Sequence, residues 1–113
     1  WAPVDVESLF WGATHFALAA ILTRHLFRVR AIDTTEILQA VALYIVVAIA
    51  FANTYSIVLW NFPDAIAYPS AVPGRAPSLS QVLYYSFVTQ LTVGYGDMSP
   101  QHGLTRILSI LQA

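Results

Sequence analysis

Thr92-Val93-Gly94-Tyr95-Gly96-Asp97 is the stretch on which the reading of this chain turns. Glycines at 94 and 96 permit backbone angles that other residues resist, so consecutive carbonyls can be made to point the same way. Just upstream, Ser78 and Gln81 have the spacing of a capping box and predict a helix over 78–91, about 20 Å long. That is too short to cross a hydrocarbon core of about 30 Å. If the solvent is lipid, such a helix dips in and returns, and the backbone after it lies at membrane depth. Non-helical backbone is tolerated there only when it is buried in protein or lines a watery cavity.

Composition argues for that solvent. Hydrophobic residues make up 58% of the 113, and charged residues only 10%, too few to cover a soluble domain. The apolar residues also come in long runs. A first stretch, Val6 to Phe27, would measure about 33 Å as a helix and carries His15 and Arg24. A second, Ile37 to Trp60, has no charged residue and would measure about 36 Å. Asp33 or Thr34 can cap its start, and Trp60 suits the far interface. Arg24, Arg28 and Arg30 lie between the two, which predicts a cytoplasmic linker. The segment 61–77, with Pro63, Pro69, Pro73, Gly74 and Pro77, is then expected outside as an exposed loop. A last helix is expected from about Pro100 to the end, half a crossing long, so the chain reads as cut inside a transmembrane helix. Its start at Trp1, without Met or a basic leader, reads as the interior of a longer gene product.

Several function classes fall away. There is no cysteine, which removes disulfides and thiolate sites. A net charge of −1 without a basic stripe argues against nucleic acid. Asp5, Glu7, Asp33, Glu36, Asp64 and Asp97 are scattered, and no nucleophile–base set accompanies them, so no enzyme is expected. The three arginines at spacings of four and two, at a helix end, read as a topology signal rather than a voltage sensor. What survives is a row of carbonyls, a hard-oxygen site for a cation that sheds its water. One strand has too few oxygens to surround an ion, so several copies must meet around an axis.

The string Thr92-Val93-Gly94-Tyr95-Gly96 resembles the selectivity filter of tetrameric potassium channels. With Ile37 to Trp60 and Ala76 to Ala113, about two-thirds of the chain resembles their pore domain. The resemblance implies an all-α, multi-pass membrane protein. It has an N-terminal transmembrane helix with a basic cytoplasmic end (1–30) and a pore domain (31–113). The latter comprises an outer helix 36–60, an extracellular loop 61–77, a re-entrant pore helix 78–91, a filter 92–97 and a truncated inner helix from 100. It implies a homotetramer in a plasma or bacterial inner membrane, with no cofactor and K⁺ as the permeant ion. The carbonyls of Thr92, Val93, Gly94 and Tyr95, with the Thr92 hydroxyl, would replace the ion's hydration shell, Gly96 completing the string. The Tyr95 ring would brace the filter from behind, and Asp97 would bond the pore helix of its own subunit. Tyr84 and Tyr85 match an aromatic pair packed around the filter, and Arg106 a basic residue near the outer start of the inner helix.

Two positions depart from the family pattern. Many relatives read Thr-Thr-Val-Gly, whereas Gln90 and Leu91 precede Thr92 here, and Val88 stands where some relatives place a Glu. The ion-lining residues are untouched, so selectivity is expected to survive. Two other readings stay open: a weakly selective cation channel of the same architecture, and a non-conducting membrane subunit. For His15 a neutral hydrogen bond to a neighbouring helix is the expectation, with a pH-sensing role as the sharper reading. Asn53 and Thr54 are likewise expected to bond between helices. His102 is expected to be solvated near the outer mouth. The gate and its stimulus are not legible.

Overall fold

A computed structural model describes residues 6–28 and 33–113. Arg30 and the expected boundary at 30/31 lie outside the described residues. Among the described residues there are four helices: α1 (Val6–Leu26), α2 (Thr34–Asn61), α3 (Leu79–Gln90) and α4 (Gly103–Gln112). Two short strands, β1 (Ile66–Ala67) and β2 (Ser99–Pro100), pair antiparallel with Ile66 opposite Pro100.

Helix α2 is the axis of the molecule. Its 28 residues reach about 42 Å, and it alone among the described helices is long and apolar enough to cross a membrane. It starts where local chemistry dictates. The Asp33 side chain accepts from the Thr35 backbone at 2.6 Å, and Glu36 Oε2 accepts from the Asp33 backbone at 3.2 Å, closing a capping box. The Glu36 side chain, followed by the Thr35 backbone, holds the Asp33 carboxyl below its usual 3.8.

Helix α1 lies antiparallel along α2. Gly12 meets Ile57, His15 meets Asn53, and Phe16 meets Phe51, so one number falls as the other rises. Nδ1 of His15 is 2.6 Å from its own Trp11 carbonyl and 3.3 Å from Asn53 Nδ2. The expected interhelical contact of His15 and Asn53 is therefore present. Thr54 instead turns back and donates to the Ala50 carbonyl of its own helix at 2.9 Å, a common way for a hydroxyl to satisfy itself in an apolar helix.

The core lies toward the C-terminal end of α2, where Tyr55, Val58 and Leu59 pack with Val82 and Tyr85 of α3 and with Ala65, Ile66 and Met98. The segment after α2 is thus not wholly the exposed loop that its prolines predict. Ala65 and Ile66 are buried, and only the stretch from Pro69 to Arg75 is continuously exposed. One atom explains the difference. The Ala65 carbonyl accepts from the Gln101 backbone at 2.8 Å, the His102 backbone at 3.2 Å and Thr105 Oγ1 at 2.9 Å. These donors, with the β1–β2 pair, stitch the loop to the start of α4. Helix α4 accordingly begins at Gly103 rather than Pro100, with His102 as its cap.

Candidate functional site

Helix α3 carries the site. Its capping box forms as the Ser78/Gln81 spacing predicts: Gln81 Oε1 accepts from the Ser78 backbone at 2.8 Å, and the Ser78 hydroxyl accepts from Gln81 N at 3.4 Å. The other end closes in a Schellman arrangement. Thr92 N donates to the Thr89 carbonyl at 2.9 Å, and Val93 N to the Val88 carbonyl at 3.1 Å. The residue that must be left-handed there is normally glycine, but here it is Thr92, at φ 55°. A β-branched residue in that region is a genuine outlier, costing on the order of 1–2 kcal/mol. Strain of this kind persists only where surrounding structure over-determines it.

Left-handed backbone then recurs at Gly94 (φ 57°) and Gly96 (φ 80°), and at no other residue of 92–97. Every second residue of the segment is therefore left-handed. Glycine carries no Cβ penalty in that conformation, and where left-handed residues alternate with right-handed helical ones successive N–H groups line one edge and carbonyls the other. All of 92–97 is exposed within the chain, and nothing lies within 4 Å of a Cβ placed on Gly94 or Gly96. The Thr92 hydroxyl donates to the Leu91 carbonyl at 2.7 Å, leaving its lone pairs free to accept or coordinate.

The far end of the segment is pinned to α3. Tyr84 Oη donates to Asp97 Oδ2 at 2.8 Å, and Asp97 Oδ1 accepts from Met98 N at 3.1 Å. The bond to Asp97 raises the Tyr84 phenol above 10.0. Tyr85 turns the other way. It is buried, its hydroxyl is 2.6 Å from Ser109 Oγ, and its ring meets Tyr55 edge-on at 5.1 Å. The two tyrosines are thus divided between the segment and the core. The Tyr95 ring is 70% exposed. A cavity of about 620 Å³ opens between α3, the segment and α4, lined by Tyr84, Val88, Gly94, Asp97, Arg106 and Ile110 among others. Arg106 is exposed, its Nε donating to the Pro100 carbonyl at 3.4 Å.

His102 differs from its expected solvated state. Its ring stacks on Phe62 at 4.3 Å, and its Nδ1 accepts from Leu104 N at 3.2 Å as the cap of α4.

Sequence reasoning missed a polar network behind α3. Ser86, fully buried, donates to the Ala48 carbonyl of α2 at 2.7 Å. Gln112 of α4, also buried, donates to the Ser86 carbonyl at 3.0 Å and accepts from Tyr55 Oη at 2.9 Å. The available signal was weak, since α3 and α4 carry other polar residues beside Ser86 and Gln112. Among the described residues, no group of three or more His, Asp or Glu could hold a metal ion.

A short helix ending in a strained turn is followed by an exposed segment with left-handed backbone at every second residue, beside an apolar helix long enough for a bilayer. A family model described as ion channel matches residues 37–113; the chain belongs to that ion channel family. No curated protein and no solved structure matches it.

Proposed function

We propose that this channel is potassium-selective and that 92–97 is its filter. In this reading α3 is the re-entrant pore helix, α2 the outer helix, and α4 the beginning of the inner helix. Helix α1, less apolar than α2 but packed antiparallel along it through Phe16 and His15, would cross with α2 as its partner, making the protein multi-pass. Four copies meet around the segment. The carbonyls of Thr92, Val93, Gly94 and Tyr95, with the Thr92 hydroxyl, then replace the water that K⁺ sheds on entry. The C-terminal end of α3 points its negative dipole end toward the axis, where a cation is favoured.

The observation that carries the reading is the left-handed backbone at 92, 94 and 96. An ordinary extended strand alternates its carbonyls and offers an ion half of them. Handedness that itself alternates offers the whole row. The exposure of that row within one chain supports a site completed by further copies, as do the exposed Ile107, Ile110 and Leu111 on α4.

The reversal potential of the protein in planar bilayers, with K⁺ on one side and Na⁺ on the other, tests the proposal. A value near the K⁺ equilibrium potential is expected, with current lost in Gly96→Ala. A value near zero with current flowing overturns selectivity and leaves a general cation channel. Assembled protein that carries no current overturns conduction.

A further inference from the structure

Gln90, two residues before Thr92, is fixed from both sides. Its Nε2 donates to the Tyr44 carbonyl of α2 at 2.7 Å, and its Oε1 accepts from Gln112 Nε2 of α4 at 3.3 Å. Gln112 Oε1 in turn accepts from Tyr55 Oη at 2.9 Å. Donors and acceptors run in one direction without a break, from Tyr55 through Gln112 and Gln90 to Tyr44. The relay leaves α2, crosses α4 and α3, and returns to α2 eleven residues away, about 16 Å along its axis. Gln112 Nε2 also reaches the Ser86 hydroxyl and carbonyl, so both Gln112 protons have acceptors.

We infer that Gln112 and Gln90 are positioning residues: their paired amides tie the last turn of α3, and with it Thr92, to α4. Two facts argue that the tie acts on Thr92 in particular. Gln90 is two residues before it, in the turn whose hydrogen bonds hold Thr92 left-handed. That strained conformation also needs outside support to persist. Gln112 is buried and Gln90 half-buried, so the paired amides are partly shielded from competing water and hold their geometry better than exposed ones. A displacement of α4 is then passed to the 92–97 segment through one hydrogen bond rather than through general packing. The functional part of this inference rests on the potassium-channel reading; the structural part does not.

Gln112→Met and Gln90→Met keep the side-chain length and remove the amides. Two measurements on the whole protein separate the claims. Hydrogen exchange of the Thr92 and Val93 amides is expected to rise about tenfold in either variant, with the first turn of α3 unchanged. The double variant is expected to exchange no faster than the faster single one, because both remove the same tie. The K⁺ to Na⁺ permeability ratio is expected to fall several-fold in step. Unchanged exchange at Thr92 and Val93, or exchange that rises evenly along α3, overturns the tie whatever the channel conducts. Raised exchange with an unaltered ratio overturns its role in the site. A wild-type ratio near one overturns the potassium reading, while the exchange data still decide the tie. Should Gln112→Met not assemble, Gln90→Met leaves the bonds of Gln112 to Ser86 and Tyr55 in place and decides the tie by itself.

Discussion

Tyr84 donates its phenol proton to Asp97 at 2.8 Å, joining the second turn of α3 to the end of the exposed segment thirteen residues later. The segment is therefore held at both ends by the same helix, through Thr92 at its start and Asp97 at its finish.

The titration of Tyr84 follows from that bond. Its folded value lies above 10.0, so its contribution to stability is complete below pH 10 and is lost as pH rises through the folded value. Absorbance titration of tyrosinate should show Tyr84 ionising late, and Tyr84→Phe should remove that component. Identical alkaline limbs in the two proteins would show the bond to be absent in solution.

At Thr92, substitution by glycine removes the cost of a β-branched residue at φ 55°. Thermal stability is expected to rise by about 1 kcal/mol. The ion loses a hydroxyl oxygen, and in the potassium reading the K⁺ to Na⁺ ratio drops. A loss of stability in Thr92→Gly would mean that the left-handed turn is not where the strain sits.

Thr105 is fully buried and donates to the carbonyls of Ala65 and His102. Thr105→Val keeps the shape and removes the donor, for an expected cost of about 1–2 kcal/mol. Thermal unfolding in detergent measures it, and Ser109→Ala provides a comparison on the same helix.

Tyr55→Phe leaves Gln112 Oε1 without its donor and is expected to cost about 1 kcal/mol. If Gln112→Met already removes the acceptor, adding Tyr55→Phe should cost little more. Additive losses in the double variant would sever the pair.

The start of α2 has the opposite pH sense to Tyr84. Asp33 is held below 3.8, so its support for the helix start is present above that pH and is lost as pH falls through the lower folded value. Hydrogen exchange at residues 34–37 should quicken in strong acid, and Asp33→Ala should abolish the dependence.

Features that depend on residues three apart were legible in the sequence. The Ser78/Gln81 capping box is local and forms where its spacing places it, and of the two caps open to α2 Asp33 is the one used, with Glu36 adding the reciprocal bond. Helices α2 and α3 follow, because an apolar run and a cap set their ends. The sequence does not show where a polar residue in an apolar helix looks for its partner. Gln112 and Tyr55 are 57 positions apart, and Ser86 and Ala48 are 38 apart, distances over which no periodicity survives. Thr92 was legible as a candidate oxygen donor and illegible as a left-handed residue, since β-branching argues against that conformation. The burial of Ala65 and Ile66 was hidden for the converse reason. Proline and aspartate neighbours read as loop, and the three donors that hold the Ala65 carbonyl arrive from beyond residue 100.

That carbonyl divides the outer loop into two parts of unequal freedom. Ala65 to Ala67 are in register with the start of α4, and an added residue there would shift the strand pairing and break three bonds together. From Pro69 to Arg75 the backbone makes only short local turns, a bond from Gly74 to Asp64 and one from Tyr68 to the Arg75 carbonyl. Epitope tags, fluorophores or grafted recognition sequences belong in that second part, where length can change without the start of α4 or the 92–97 segment registering it.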